Sequence, residues 1–139
     1  MTTKARPTID DLYNLPDHMK AELVDGEIIP MSPTGDMPAR AAFNVAVSFR
    51  TIENRITGRA YPDNVGYKVS LPNRESFSPD ASYYIGQPAG IRFLEGAPVF
   101  AVEVRSENDY GSGAEAAMAK TRADCFAAGT LVVWDVRLA

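Results

Sequence analysis

The chain has 139 residues, of which 45% are hydrophobic and 23% are charged, and these values indicate a single globular domain. The formal net charge of -4 argues against a protein that binds nucleic acid through bulk positive charge, because phosphate contacts need Lys and Arg. The one cysteine, Cys125, excludes an intramolecular disulfide framework and favours a reducing compartment.

Residues 1–7 are interpreted as a loose tail at the start of one domain that covers residues 1–139. The tail lacks the apolar run of a signal peptide, and no apolar stretch of the chain approaches the length of a bilayer span. We therefore expect a cytoplasmic protein that makes no membrane contact.

Periodicity and turn residues predict helices and strands along the rest of the chain. Asp25-Gly26, between two apolar runs, is a strong hairpin signal. The predicted elements, in chain order, are a short helix at 8–15, a hairpin at 20–31, a helix at 38–57, strands at 66–71, 81–85 and 98–104, a helix at 113–128 and a strand at 130–136.

The apolar strands at 98–104 and 130–136 are expected to be buried on both faces. This order of elements predicts an α/β domain with a mixed sheet flanked by helices. Because the chain stops shortly after a central strand, we also expect either a natural short form or a C-terminally truncated chain.

Two carboxylates stand out because of where they lie in the predicted strands. Asp80 follows Pro79 and opens one strand, and Glu103 sits inside the apolar run at 98–104. A carboxylate in a buried strand is costly unless it is paired or binds a metal. Two carboxylate oxygens, the backbone carbonyl of Val104 and waters suit Mg²⁺, so we predict a divalent cation held by Asp80 and Glu103.

A cationic residue follows the second carboxylate. Arg105 lies two residues after Glu103, and positions i and i+2 of a strand point to the same face. Arg105 is therefore a candidate catalytic residue that orients a water or neutralises charge on a phosphate. A structural ion pair at the end of a strand fits the spacing equally well.

These residues resemble the PD-(D/E)xK nuclease superfamily, and more closely its bacterial Uma-type branch of restriction endonucleases. The resemblance covers the chain from Ile9 to Val136 and implies a restriction-endonuclease-like fold. It also implies a metal-dependent endonuclease that hydrolyses phosphodiester bonds in nucleic acid, with DNA as the first expectation and Mg²⁺ or Mn²⁺ as the cofactor. The matching blocks are Ala21-Glu22-Leu23-Val24-Asp25-Gly26-Glu27-Ile28, Ser78-Pro79-Asp80-Ala81-Ser82, Ala101-Val102-Glu103-Val104-Arg105-Ser106-Glu107-Asn108-Asp109-Tyr110-Gly111 and Ala127-Ala128-Gly129-Thr130-Leu131-Val132-Val133-Trp134-Asp135.

The resemblance also implies roles for individual residues. Asp80 and Glu103 match the two acidic metal ligands, and Glu22 matches an acidic position near the first hairpin that often joins such sites. Lys120 resembles a catalytic lysine on the following helix, but it stands one residue earlier than the pattern, which places Thr121 there. Restriction-type nucleases cut duplexes as two-fold dimers, so a homodimer is also implied.

Two functions stay open on this sequence: an Mg²⁺-dependent endonuclease, and an impaired nuclease fold used for binding or assembly. The second is favoured by the acidic net charge and by Arg105, which stands where the superfamily has lysine. It is also favoured by the shifted Lys120, because one helical residue is a rotation of about 100°. Convergence of Glu22, Asp80, Glu103 and a cation in one polar cleft is the feature that separates the two.

Overall fold

The computed structural model describes residues 5–15 and 20–138, which form three helices and nine strands. Residues 1–4 of the predicted tail lie outside the described residues. Within the described ranges, no helix is both long and apolar enough to cross a membrane. The elements in chain order are α1 (Ile9–Tyr13), β1 (Ala21–Val24), β2 (Glu27–Pro30), α2 (Asp36–Thr51), β3 (Arg59–Tyr61), β4 (Tyr67–Leu71), β5 (Arg74–Phe77), β6 (Ala81–Tyr84), β7 (Leu94–Glu95), β8 (Phe100–Val104), α3 (Ser112–Ala127) and β9 (Val132–Val136).

The strands form two sheets, where the sequence predicted one central sheet. One sheet has the order β2-β1-β5-β4-β7, and the other has the order β3-β6-β8-β9. Each sheet is mixed: β4 and β7 run parallel in the first, and β8 and β9 run parallel in the second. The predicted α/β class with helices against mixed sheets is confirmed.

Two apolar clusters hold the layers together. The first packs α2, through Phe49 and its small neighbours, against one face of the β3-β6-β8-β9 sheet. The second fills the space between the two sheets and includes Tyr67, Phe77 and Ala101. Cys125 of α3 also belongs to this second cluster and is 2% exposed, so the cysteine acts as a small buried apolar residue.

The predicted hairpin is present, and its turn has the backbone that the Asp-Gly pair favours. Asp25 and Gly26 have φ values of 51° and 73°, and two positive φ values in a row describe the tight turn that matches the twist of antiparallel strands. The turn sets the register of β1 and β2, which pairs Leu23 with Ile28. This register directs Leu23 to the core, where it is fully buried.

Three short strands were not predicted: β3, β5 and β7. The predicted helix at 38–57 also ends early, at Thr51. The Glu53 side chain accepts a hydrogen bond from the Ala60 amide at 2.6 Å, which turns the chain back into β3. A side-chain contact of this kind leaves no periodic pattern in the sequence.

The expectation that the last strand is buried on both faces is wrong. In the described part of the chain, β9 pairs only with β8 and forms an edge of its sheet. Trp134 is accordingly 50% exposed, although its ring packs edge-on against Phe100 with centroids 5.1 Å apart. The apolar composition of β9 therefore did not predict its place in the sheet, because pairing order cannot be read from composition.

Candidate active site

The pairing of β6 with β8 places the two singled-out carboxylates side by side. The antiparallel register pairs Ala81 with Val102, and a regular continuation would set Asp80 opposite Glu103. The Asp80 amide donates instead to the Val102 carbonyl, at 3.0 Å, so the ladder shifts by one residue at this point. The charge of Asp80 nevertheless raises the pKa of Glu103, so the two carboxylates lie close together. Since Val102 and Val104 pack toward α2, Glu103 points to the other face of the sheet.

Asp80 is tied to the next residue of β8. Its Oδ2 accepts a hydrogen bond from the Val104 amide at 2.7 Å, and its Oδ1 lies 3.7 Å from the Lys20 ammonium. Burial raises the pKa of Asp80, while the hydrogen bond from Val104 and the charge of Lys20 act to lower it. The N–H and C=O of a strand residue point to the same side, so the Val104 carbonyl also faces Asp80.

Glu103 is the carboxylate of the pair that lacks hydrogen-bond donors. Among the described residues, none donates a hydrogen bond to it. Burial raises the pKa of Glu103 well above its ordinary value, and the charges of Asp80 and Glu22 raise it further. Lys20 and Arg74 only partly offset this. The side chain is half-buried rather than sealed, so a positive ligand can reach it.

Glu22 lies close to these carboxylates but is held by other partners. Its Oε2 accepts from the Ser78 amide at 2.6 Å, and its Oε1 is 3.2 Å from the Arg74 guanidinium. Arg74 is itself buried and is fixed by Asp124 at 2.9 Å and by the Thr121 hydroxyl at 3.4 Å. Glu22 therefore anchors the segment that leads into β6, and sequence reasoning missed Arg74 because it missed β5.

Lys20, which the sequence did not single out, faces the carboxylates. It precedes β1, forms an ion pair with Asp63 and approaches Asp80. Burial acts to lower the pKa of Lys20, but the hydrogen bond and charge of Asp63 and the charge of Asp80 act against it, and the pKa is raised. The negative charge of Glu103 contributes in the same direction. No sequence signal links residue 20 to residue 80, because their proximity arises from the packing of the two sheets.

The structure does not bring Arg105 into hydrogen-bonding contact with Asp80, Glu22 or Glu103. Its Nε and Nη2 bind the two oxygens of Asp135, each at 2.7 Å. Its Nη1 and Nη2 bind Glu115 at 2.6 and 3.0 Å, and Nη1 also donates to the Asp109 carbonyl at 3.0 Å. These bonds use all five N–H donors of the guanidinium. The side chain is fully buried, and this arrangement matches the structural ion pair that the spacing also allowed.

Lys120 is also engaged elsewhere. It lies on an exposed face of α3 and forms an ion pair with Asp25 in the hairpin turn. Its neighbour Thr121 faces inward and accepts from Arg74. Successive residues of a helix are rotated by about 100°, so Lys120 and Thr121 point in different directions, as the sequence indicated.

The residues present fit a cation that needs few protein ligands. No group of three or more Asp, Glu, His or Cys side chains in the described part of the chain is arranged to hold a metal ion. Asp80 and Glu103 form a pair in which the Glu103 carboxylate accepts no hydrogen bond from the described residues. The Val104 carbonyl lies on the same side. Mg²⁺ is commonly held by one or two carboxylates together with waters and substrate phosphates, and this donor set matches that preference.

Comparison with known proteins agrees with this fold. A family model described as "Uma2: Putative restriction endonuclease" matches residues 9–138. The fold is similar to the crystal structure of a "putative nuclease belonging to DUF820" from Anabaena variabilis ATCC 29413, with a TM-score of 0.70 and 22% sequence identity. That similarity covers 94% of this chain and 74% of the other, and it shows the same restriction-endonuclease-like fold. No match is found among curated proteins.

Proposed function

Since the chain belongs to the Uma2 family of restriction-endonuclease-like proteins, we propose that it is a metal-dependent nuclease that hydrolyses phosphodiester bonds, with DNA as its substrate. The observation that carries the proposal is the pair formed by Asp80 and Glu103. The pair sits at the end of a central antiparallel ladder, and Glu103 has no hydrogen-bond donor among the described residues. An unneutralised carboxylate beside a second one is costly unless a cation joins them.

Asp80, Glu103 and the Val104 carbonyl are the proposed ligands of Mg²⁺ or Mn²⁺. When bound, such a cation supplies positive charge to a phosphate on whose oxygens negative charge develops. Glu22 serves here as a positioning residue, because its bond to the Ser78 amide holds the strand that carries Asp80. The strands on both sides of the pair keep the ligands in place for a phosphate of the nucleic acid.

One specific observation favours a second candidate, a nuclease fold used for binding or assembly. The donors of Arg105 are all taken and Lys120 pairs with Asp25, so neither of the cations indicated by the sequence is available at the carboxylate pair. An impaired enzyme of this kind retains metal and nucleic acid binding but cleaves slowly. Cleavage, rather than binding, separates the two candidates.

The test is a plasmid cleavage assay with Mg²⁺ or Mn²⁺ against the metal-free protein. We expect metal-dependent nicking by the wild type, and its loss in Asp80→Ala and Glu103→Ala. Glu27→Ala removes an exposed carboxylate from β2 and serves as the matched control that keeps activity. Equal cleavage by the wild type and Asp80→Ala would contradict the proposed site, whereas metal binding without cleavage would favour the binding module.

Assembly and location follow as further parts of the proposal. A two-fold homodimer suits an enzyme that cuts both strands of a duplex, and a nucleic-acid substrate suits a cytoplasmic protein. Analytical ultracentrifugation, alone and with duplex DNA, tests the assembly. Sedimentation as a monomer in both conditions would remove the dimer from the proposal.

A further inference from the structure

The resemblance implies a cationic residue besides the metal, and two residues were candidates for that role. Arg105 is buried against Asp135 and Glu115. Lys120 lies on the hairpin side of α3 with Asp25. Both residues indicated by the sequence are thus bound to partners outside the carboxylate pair.

Lys20 is the lysine that faces the pair. Its ammonium lies 3.7 Å from Asp80 Oδ1 and is bonded to Asp63. An ammonium has three donors, and Asp63 is the one side chain among the described residues that accepts from it within hydrogen-bond distance. The Asp80 oxygen is close enough for charge attraction but too far for a normal hydrogen bond.

Lys20 is also reachable from outside the protein. Together with Ser78, Asn64 and Tyr13 it lines a cavity of about 210 Å³. Asp80 and Glu103 do not line this cavity. Its connection to them runs through Lys20, which approaches Asp80, and through Ser78, whose amide binds Glu22. The ammonium therefore borders open space as well as Asp80.

We propose that Lys20 is the cationic residue of this active site, where its ammonium donates to an oxygen of the bound phosphate. The inference rests on the proposed nuclease function. Asp63 positions the side chain, and the proximity to Asp80 places its charge beside the metal ligands. No covalent step is assigned to Lys20; it binds and neutralises.

A purely structural alternative is that Lys20 and Asp63 only tie the start of β1 to the loop after β3. The two readings differ in what happens when each partner is removed alone. If the ion pair is structural, Lys20→Met and Asp63→Asn have equal effects. If Lys20 is the cation, only its own removal eliminates the charge at the site.

The experiment compares Lys20→Met, Lys20→Arg and Asp63→Asn with Lys68→Met, a matched control that removes an exposed lysine of β4. Mn²⁺ affinity is measured by calorimetry without nucleic acid, and cleavage is measured under single-turnover conditions. Urea unfolding of every variant verifies that it is folded.

We expect Lys20→Met to bind Mn²⁺ at least about fivefold more tightly, because a positive charge that repels the metal has gone. We expect the same variant to lose cleavage by about 10²–10³-fold, the cost of one lost charge contact in a transition state. Lys20→Arg keeps the charge and is expected to retain wild-type Mn²⁺ affinity and more cleavage than Lys20→Met. Asp63→Asn is expected to keep the greater part of the rate, and Lys68→Met to behave as wild type.

Several results would overturn the assignment. Wild-type cleavage and Mn²⁺ affinity in Lys20→Met would remove Lys20 while leaving the proposed function intact. Equal losses in Lys20→Met and Asp63→Asn would show a structural ion pair. If Lys20→Met does not fold, wild-type cleavage by Lys20→Gln overturns the proposal instead. A wild type that neither binds Mn²⁺ nor cleaves would refute the proposed function itself, and this inference with it.

Discussion

Arg105 and Asp135 form a two-point ion pair, with Nε to Oδ1 and Nη2 to Oδ2 both at 2.7 Å. Asp135 stands next to Glu103 in the parallel register of β8 and β9. Arg105 therefore does share a face with Glu103, as the spacing predicted, but its side chain turns toward the next strand. This relationship predicts a contribution of Arg105 to the stability of the sheet.

We expect Arg105→Met to destabilise the protein by about 3 kcal/mol, because it leaves carboxylates that were neutralised by a buried cation. Arg122→Met is the matched control: Arg122 lies 3.1 Å from Asp135 but its side chain is 34% exposed, and such a pair contributes less than about 1 kcal/mol. Urea unfolding measures both. Arg105→Met with wild-type stability but no cleavage would restore Arg105 to a catalytic role.

The same ion pairs predict a loss of stability in acid. The hydrogen bonds from Arg105 lower the pKa values of Asp135 and Glu115. The two carboxylates therefore take up protons more readily in the unfolded chain than in the folded protein. Stability falls as the pH drops from their ordinary pKa values, about 4, through the lowered pKa values of the folded protein. Since Glu115 is 40% exposed, Asp135 supplies the larger part. Denaturation midpoints from pH 6 to pH 3 in the wild type and in Asp135→Asn test this, and identical profiles would contradict it.

Metal binding is expected to depend on both strand carboxylates. Asp80→Ala and Glu103→Ala each remove one of two protein carboxylates, so neither variant should bind Mn²⁺ in a calorimetric titration. Glu75→Ala, which removes an exposed carboxylate of β5, should bind as wild type does. An unchanged Mn²⁺ affinity in Asp80→Ala would refute the site.

Without metal, the neutral variant Glu103→Gln is expected to be more stable than the wild type near neutral pH. Burial and the charges of Asp80 and Glu22 disfavour the ionised form of Glu103, as the raised pKa indicates. Removing the charge relieves that cost, by about 1 kcal/mol or more. Added Mn²⁺ should reverse the order, since only the wild type gains binding energy. A metal-free Glu103→Gln that unfolds more easily would show that the ionised carboxylate is favourably paired.

The sequence alone was sufficient for the elements whose signals are local. The Asp25-Gly26 turn, the apolar run that became β8 and the two long helices all follow from residues close together in the chain. The same run singled out Glu103, because a carboxylate among apolar neighbours is conspicuous without any knowledge of the fold.

Only the tertiary structure decided which cation lies beside Asp80. Lys20 precedes a strand of one sheet, whereas Asp63 and Asp80 flank strands of the other, and no spacing in the chain relates them. Arg105 was predicted to act beside Glu103, yet its guanidinium donates hydrogen bonds to Asp135 and Glu115. Strand periodicity gives the face of a side chain, but the partner of a long charged side chain depends on which elements pack around it. The sequence therefore determined where negative charge is concentrated, and the packing of the sheets determined what positive charge stands beside it.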